Sequence, residues 1–187
     1  AGKVFSSLRP PVVAKIISKD VIHKSDIGGV RVGINTAIEL EMALAEIEKS
    51  VFRHTTNVEG FLVEEMIPEG HEVVVGGLTD RTFGPLIMFG LGGIYIEILA
   101  DVSFRICPIT RMEARDMIEE LKTVELLRGA RGGLRASEDL IVDTLMRVGG
   151  KDGLMMTLED KISEIDINPL IISHKEAVAV DARVILK

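Results

Sequence analysis

The sequence predicts an α+β fold, and three observations carry that prediction. Short β-branched runs such as Pro11–Ile17 (PVVAKII) and His71–Leu78 (HEVVVGGL) are mixed with helical stretches. Two Thr/Glu pairs spaced as capping boxes open amphipathic segments. The strands fall in neighbouring pairs around glycine turns, without the strict strand–helix alternation of a doubly wound parallel sheet. The 187 residues suffice for one domain or two small lobes sharing a cleft, and 47% apolar residues can bury a sizeable core.

Taken in order, Pro11–Ile17 reads as a buried strand. Ser18–Gly29 reads as a polar loop ending in Gly-Gly, and Val30–Ile34 as a returning strand. Thr36 and Glu39 open a helix to about His54, with Leu40, Leu44, Ile47 and Val51 on one face. Gly60–Met66 and His71–Leu78 are strands separated by a turn at Pro68-Glu69-Gly70. Pro85–Phe89, Ile94–Leu99 and Val102–Ile106 are further strands around Gly90-Leu91-Gly92-Gly93. Thr110 and Glu113 cap a helix to about Leu121, a short helical stretch follows at Val124–Arg128, and Ser137 caps another to about Val148. The chain closes with Ile162–Ile167, a turn at Asn168-Pro169, then Leu170–Ser173 and Ala177–Leu186. A break near Glu64–Gly70 divides a smaller lobe, residues 1–64, from a larger one, residues 65–187.

Composition narrows the function. A net charge of −7 argues against a nucleic-acid partner, whose phosphates need a basic face. A smaller polyanion can still bind where cations gather locally and a divalent ion is recruited. Cys107 is the lone cysteine, so no internal disulfide forms, which fits a cytoplasmic setting. No apolar run approaches the ~20 residues that span a bilayer. The opening residues show no signal peptide and no initiator Met, so the chain reads as a fragment or as one domain of a longer protein.

Five constellations can carry chemistry. His23-Lys24-Ser25-Asp26-Ile27-Gly28-Gly29 is either a solvated hairpin loop or an anion cradle, with His23 a possible phosphoryl acceptor. Lys15 shares a strand face with Val13 and Ile17, as an edge lysine or as a cation for phosphates. Glu164, Asp166 and Asn168 project from one face of a strand, and a hairpin return brings Asp181 back toward Asn168. Because the Ala177–Ala182 run looks buried, a carboxylate there calls for a partner, and hard oxygen donors suit Mg²⁺. Glu64, Glu65 and Met66, followed by Glu72, form either a charged strand end or an adenine-reading edge with a ribose contact. The Gly90–Gly93 turn with Glu97, Asp101 and Arg105 is equally a tight hairpin or a phosphate holder. No P-loop or GxGxxG fingerprint occurs, and the four histidines lack zinc-ligand spacing.

In this order the segments PVVAKIISKDVIHKSDIGGV, VEEMIPEGHEVVVGG, FGPLIMFGLGGIYIEILADVSFRICPI and SEIDINPLII resemble the ATP-grasp domain of ADP-forming acetyl-CoA synthetases. Succinyl-CoA synthetase beta subunits are more distantly similar, through EIDINPL and Asp181. The resemblance implies an ATP-grasp fold of two α+β lobes and a bound ATP or ADP with Mg²⁺. It also implies a CoA-binding alpha subunit or fused domain with a second phosphohistidine, in a hetero-oligomer or an oligomer of a fused chain. It assigns His23 as the phosphoryl acceptor, and Lys15, Lys24, Ser25, Gly28 and Gly29 to the nucleotide phosphates. Glu64, Glu65 and Met66 become the adenine hinge, Glu72 a ribose contact and Arg105 a further nucleotide contact. Asp166, Asn168 and Asp181 become magnesium ligands. The family domain begins with a further stretch that has no counterpart here, which leaves the small lobe incomplete. The alternatives are a nucleotide-sensing module of a protein acyltransferase, a ligase subunit like that of succinyl-CoA synthetase, and an interaction subunit without catalysis.

Overall fold

The computed structural model describes residues 1–20, 24, 26–55, 57–67 and 69–187. In its first unit, Ala1–Ile67, the run after Pro11 becomes the middle strand of three. β1 (Val12–Ile17) is flanked by β2 (Val30–Ile34) and β3 (Gly60–Glu65), both antiparallel to it, after a short α1 (Gly2–Phe5). α2 (Ala37–Val51) covers one face of this sheet. Its Leu40, Ala43, Ile47 and Val51 pack on Val12, Ala14, Ile16 and Ile34. Each fully buried Leu or Ile side chain there contributes about 1.5–3 kcal/mol. The alternation of β1 sends Val13, Lys15 and Ile17 to the opposite, uncovered face. Thr36 caps α2 as expected, accepting from Glu39 N–H at 3.2 Å. Glu39 reaches back to the N–H of Asn35, at 2.7 Å, rather than to that of Thr36.

The second unit, Pro68–Lys187, is built on a six-stranded antiparallel sheet. Its strands are β4 (His71–Asp80), β5 (Gly84–Leu91), β6 (Val102–Ile106), β7 (Ile162–Ile172), β8 (Ala177–Ala179) and β9 (Ala182–Leu186). The order is β6-β5-β4-β7, and β8 and β9 both pair along the far edge of β7. Its helices are α3 (Ile94–Leu99), α4 (Arg111–Glu119), α5 (Val124–Leu127), α6 (Glu138–Gly149) and α7 (Leu154–Thr157). Val73, Val75, Ile87, Phe89, Ile165, Leu170 and Ile172 face α4, α6 and α7 across one core. Thr110 and Glu113 complete a reciprocal capping box on α4, and Ser137 caps α6. Arg128 ties α4, α5 and α6 together through Glu119, Glu125 and Glu138. No helix among the described residues is long and apolar enough to cross a membrane.

The division between units falls at Ile67/Pro68, inside the Glu64–Gly70 stretch, because β3 keeps Glu64 and Glu65 in register with Val13 and Val12. Three expectations need correction. Ile94–Leu99 is a helix, bracketed by Gly93 at φ 60° and a left-handed Ala100, not a strand. Asn168-Pro169 is no turn. β7 runs straight through it, and Val74 alone faces both residues in a bulge where Pro169 needs no ladder N–H. Finally, Ala177–Leu186 is two edge strands, and residues 181–187 are exposed rather than buried.

Candidate functional site

In the first unit the uncovered sheet face carries Lys15, whose Nζ lies 2.8 Å from Glu64 Oε2. With only 18% of its side chain exposed, Lys15 is a partly sheltered cation on the face its strand alternation predicts. Glu65 is held differently: Arg9 clamps its carboxylate through its backbone N–H, Nε and Nη2. That grip holds the Glu65 carboxyl below the usual carboxylate range, chiefly through the side-chain hydrogen bond from Arg9. The Met66 N–H is spent on Pro11 O at 2.8 Å. Alternation along β3 therefore leaves the backbone groups of Glu65 to the outer edge of the strand. Of the glycine loop, Gly29 is buried and donates to Lys24 O at 2.7 Å. A β-carbon at Gly29 would lie 2.8 Å from both Ile16 Cγ2 and Lys24 O, so only glycine fits this close approach. Gly28 holds φ +71° beside it. His23 and Ser25, and the side chain of Glu97, lie outside the described residues.

In the second unit the sheet face turned away from α4, α6 and α7 collects the remaining groups. Register builds it row by row. Ile106, Leu86, Leu78 and Glu164 lie side by side, and Phe104, Met88, Gly76, Asp166 and Arg183 form the next row. Gly76 leaves a hollow of about 230 Å³, with Met88 and Phe104 on one side and Glu164 and Asp166 on the other. An apolar wall thus faces an acidic one. Asn168 and Asp181 meet at the end of the acidic wall, where Asn168 N–H donates to Asp181 O at 3.1 Å. Val180 N–H donates to Pro169 O at 3.0 Å and closes the same corner. Burial weakens the acidity of Asp166; Arg183 opposes the shift, and Glu164 and Asp181 add to it. Glu72 is exposed on β4, its neighbours Val73 and Val75 being turned into the core, so it shares this open face. Its carbonyl accepts from Gly92 N–H at 2.8 Å.

Arg105 is not brought to this face. It sits one residue beyond Phe104 and points toward α4, where its guanidinium pairs with Glu120. Asp101 is likewise structural, its buried carboxylate accepting from the N–H groups of Lys122 and Thr123 at 2.9 Å. The sequence reading missed Arg183, which stands opposite Asp166 and donates to Glu164 Oε1 at 2.8 Å. A larger hollow of about 390 Å³ opens at the start of α6 among Arg115, Arg135 and His174. Arg115 is already paired with Asp139 there, and the oxygen donors described above lie elsewhere.

Hard oxygens in this number suit one divalent ion shared with phosphates. Among the described residues no group of three or more His, Cys, Asp or Glu is placed to hold a metal ion by itself. Asp166, the Asn168 amide and Asp181 instead offer the few-ligand edge that Mg²⁺ takes when a nucleotide completes its shell. The donor set fits.

Comparison with known proteins gives the family. Residues 1–186 match the ATP-grasp domain family. The beta subunit of ADP-forming acetate–CoA ligase I from Pyrococcus furiosus is 44% identical over 188 residues, which span all of this chain and 79% of that subunit. The chain belongs to the ATP-grasp family of ADP-forming acetate–CoA ligases. Acetyl-coenzyme A synthetase 1 of Ca. Korarchaeum cryptofilum, solved with coenzyme A, Ca-AMPCP and HgCl⁺, superposes on this ATP-grasp chain with a TM-score of 0.91. Identity is 41%, and the match covers 100% of this chain and 81% of that one. The same enzyme with coenzyme A and Mg-AMPPCP, its phosphohistidine segment pointing towards the nucleotide binding site, gives a TM-score of 0.83. Identity is 38%, with 100% and 81% coverage.

Proposed function

We propose that this chain is the nucleotide-binding part of an ADP-forming acyl-CoA synthetase. It exchanges a phosphoryl group between a histidine and ADP within the overall reaction acyl-CoA + ADP + phosphate ⇌ carboxylic acid + CoA + ATP. One observation carries the reading: the Asn168–Asp181 backbone bond gathers metal-type oxygens at the end of an open sheet face whose other wall is apolar. Such a face can take a flat base and a cation-bound phosphate together.

The residue roles follow from chemistry and from the family resemblance. Asp166, Asn168 and Asp181 hold the cation; bound Mg²⁺ supplies charge neutralisation at the phosphate oxygens. Lys15, held in place by Glu64, adds a positive charge for the phosphates; Gly28 adds a backbone N–H donor, and Gly29, its own N–H spent on Lys24 O, shapes the loop around them. Lys24 and Ser25 belong to the same loop. Glu65 and Met66 border the adenine, and Glu72 reaches the ribose. His23 is the phosphoryl carrier. In the ATP-forming direction a β-phosphate oxygen of ADP attacks the phosphorus on His23. The new P–O bond forms as the N–P bond breaks, and the imidazole keeps the electron pair. Coenzyme A chemistry falls to a partner subunit or fused domain carrying a second phosphohistidine.

The test is ADP titration of the full chain with and without Mg²⁺, for the wild type and Asp181→Ala. Mg²⁺ should tighten wild-type binding, and Asp181→Ala should lose about tenfold or more of that gain. An equal metal dependence in both proteins would overturn the reading.

A further inference from the structure

We propose that Arg183 binds the nucleotide's terminal phosphate; this rests on the nucleotide reading above. Asp166 and Arg183 are directly paired across β7 and β9, so their side chains share one face with β-carbons about 5 Å apart. Two residues of extended chain, about 7 Å, separate Arg183 from Asp181. An extended arginine covers that span. Asp181 and Asn168 meet at one corner, so Arg183 stands in one row with the three proposed cation ligands without belonging to them; its guanidinium is turned to Glu164 in this structure, and a change of rotamer swings it toward that corner.

Its present engagement leaves room for a phosphate. Among the described residues its hydrogen-bonded partner is Glu164, through Nη2 at 2.8 Å. A guanidinium has five N–H donors in a planar fork, and the side chain is 58% exposed. Packing therefore does not require it. A cross-strand charge pair of this kind adds only about 0.2–1 kcal/mol to a sheet, and a lysine would serve that purpose as well. The fork is the feature that matches phosphate oxygens two at a time. Glu164, Asp166 and Asp181 repel an approaching polyanion, and Arg183 is the cation placed in their row. It can take the oxygens that the metal leaves uncovered.

The experiment compares AMP and ADP binding in Mg²⁺, using the full chain assembled with its CoA-binding partner, as wild type, Arg183→Lys and Arg183→Met. Thermal unfolding serves as the check on folding. Arg183→Met should weaken ADP about tenfold to a hundredfold, the worth of a charged hydrogen-bonded contact. AMP affinity should stay within about twofold under the same rule, and Arg183→Lys should recover part of the ADP loss. If AMP and ADP weaken together, Arg183 merely supports the edge strand and the proposal fails. ADP binding unchanged in Arg183→Met also overturns it while leaving the nucleotide reading intact. A wild type that shows no Mg²⁺-dependent ADP binding removes the nucleotide reading and this inference with it.

Discussion

Gly76 and Gly77 are neighbours on β4 that face opposite ways, and replacing each by alanine distinguishes the covered side of the sheet from the open one. A β-carbon at Gly77 would lie 2.6 Å from Met155 Sδ and 2.7 Å from Ile165 Cγ2. Met155 is fully buried, so neither atom can withdraw freely. Overpacking of this kind costs about 1–3 kcal/mol. Restricting the unfolded chain returns about 0.4–1 kcal/mol. Gly77→Ala should therefore lose about 1.3 kcal/mol, the middle of a span from about 0 to about 2.6, which is a fall in Tm of roughly 3–5 °C. At Gly76 the nearest atom is the terminal methyl of Met88, at 3.2 Å, and the next lies at 3.6 Å. That methyl can move aside, so Gly76→Ala should stay within about 0.5 kcal/mol of the wild type. Gly76→Val goes further and raises the floor of the hollow. It should lower Mg²⁺-dependent ADP affinity by about tenfold, the order expected for a crowded apolar contact. Urea unfolding followed by circular dichroism, paired with ADP titration, reads both effects. If Gly76→Ala proves the more damaging of the two, the covered face is misassigned. If Gly76→Val binds ADP like the wild type, the open face is not where the nucleotide lies.

Three further outcomes follow from the same geometry. His23→Ala, in the chain assembled with its CoA-binding partner, should abolish phosphoryl transfer while ADP still binds; unchanged turnover removes His23 from the mechanism. Burial raises the Asp166 carboxyl above its usual range, with Glu164 and Asp181 adding and Arg183 opposing. A folded-state value above the unfolded one adds stability at acid pH, and this is lost as pH rises through the carboxylate range, so the ionised group is a net cost at neutral pH. Asp166→Asn should thus stabilise the free chain at pH 7 and weaken its Mg²⁺-dependent ADP binding, and a destabilised variant would contradict the assignment. Arg105→Gln should cost about 0.5–1 kcal/mol through its lost pairing with Glu120 and leave ADP affinity within about twofold; a large loss of affinity would restore Arg105 to the nucleotide site.

Local chemistry made much of the fold legible. The Thr110–Glu113 and Ser137 caps mark α4 and α6 because their side chains answer orphan N–H groups within one turn. Period-two alternation correctly sends Lys15 to the face opposite Ala14 and Ile16, and sets Asp166 against Ile165. Where tertiary context decides, the sequence misleads. IYIEIL is β-branched enough to read as a strand, yet Gly93 and Ala100 turn the backbone at both ends and make it helical. Pro169 reads as a turn until the bulge opposite Val74 gives it a place in the ladder. Arg105 was assigned to phosphate, but alternation gives the open side to Phe104. Arg183 was illegible for the converse reason. Its standing depends on its register with Asp166, which the β7–β9 pairing sets, and only the Asp181-x-Arg183 spacing hints at it.

The most direct test places a paramagnetic ion where the magnesium belongs. Mn²⁺ with ADP, added to the isotope-labelled chain, broadens amide signals steeply with proximity. The amides of Ile167, Asn168 and Ala182 should broaden first, while that of Arg135, at the start of α6, stays sharp. Broadening centred near Arg135 and His174, with Asn168 unaffected, would contradict the account.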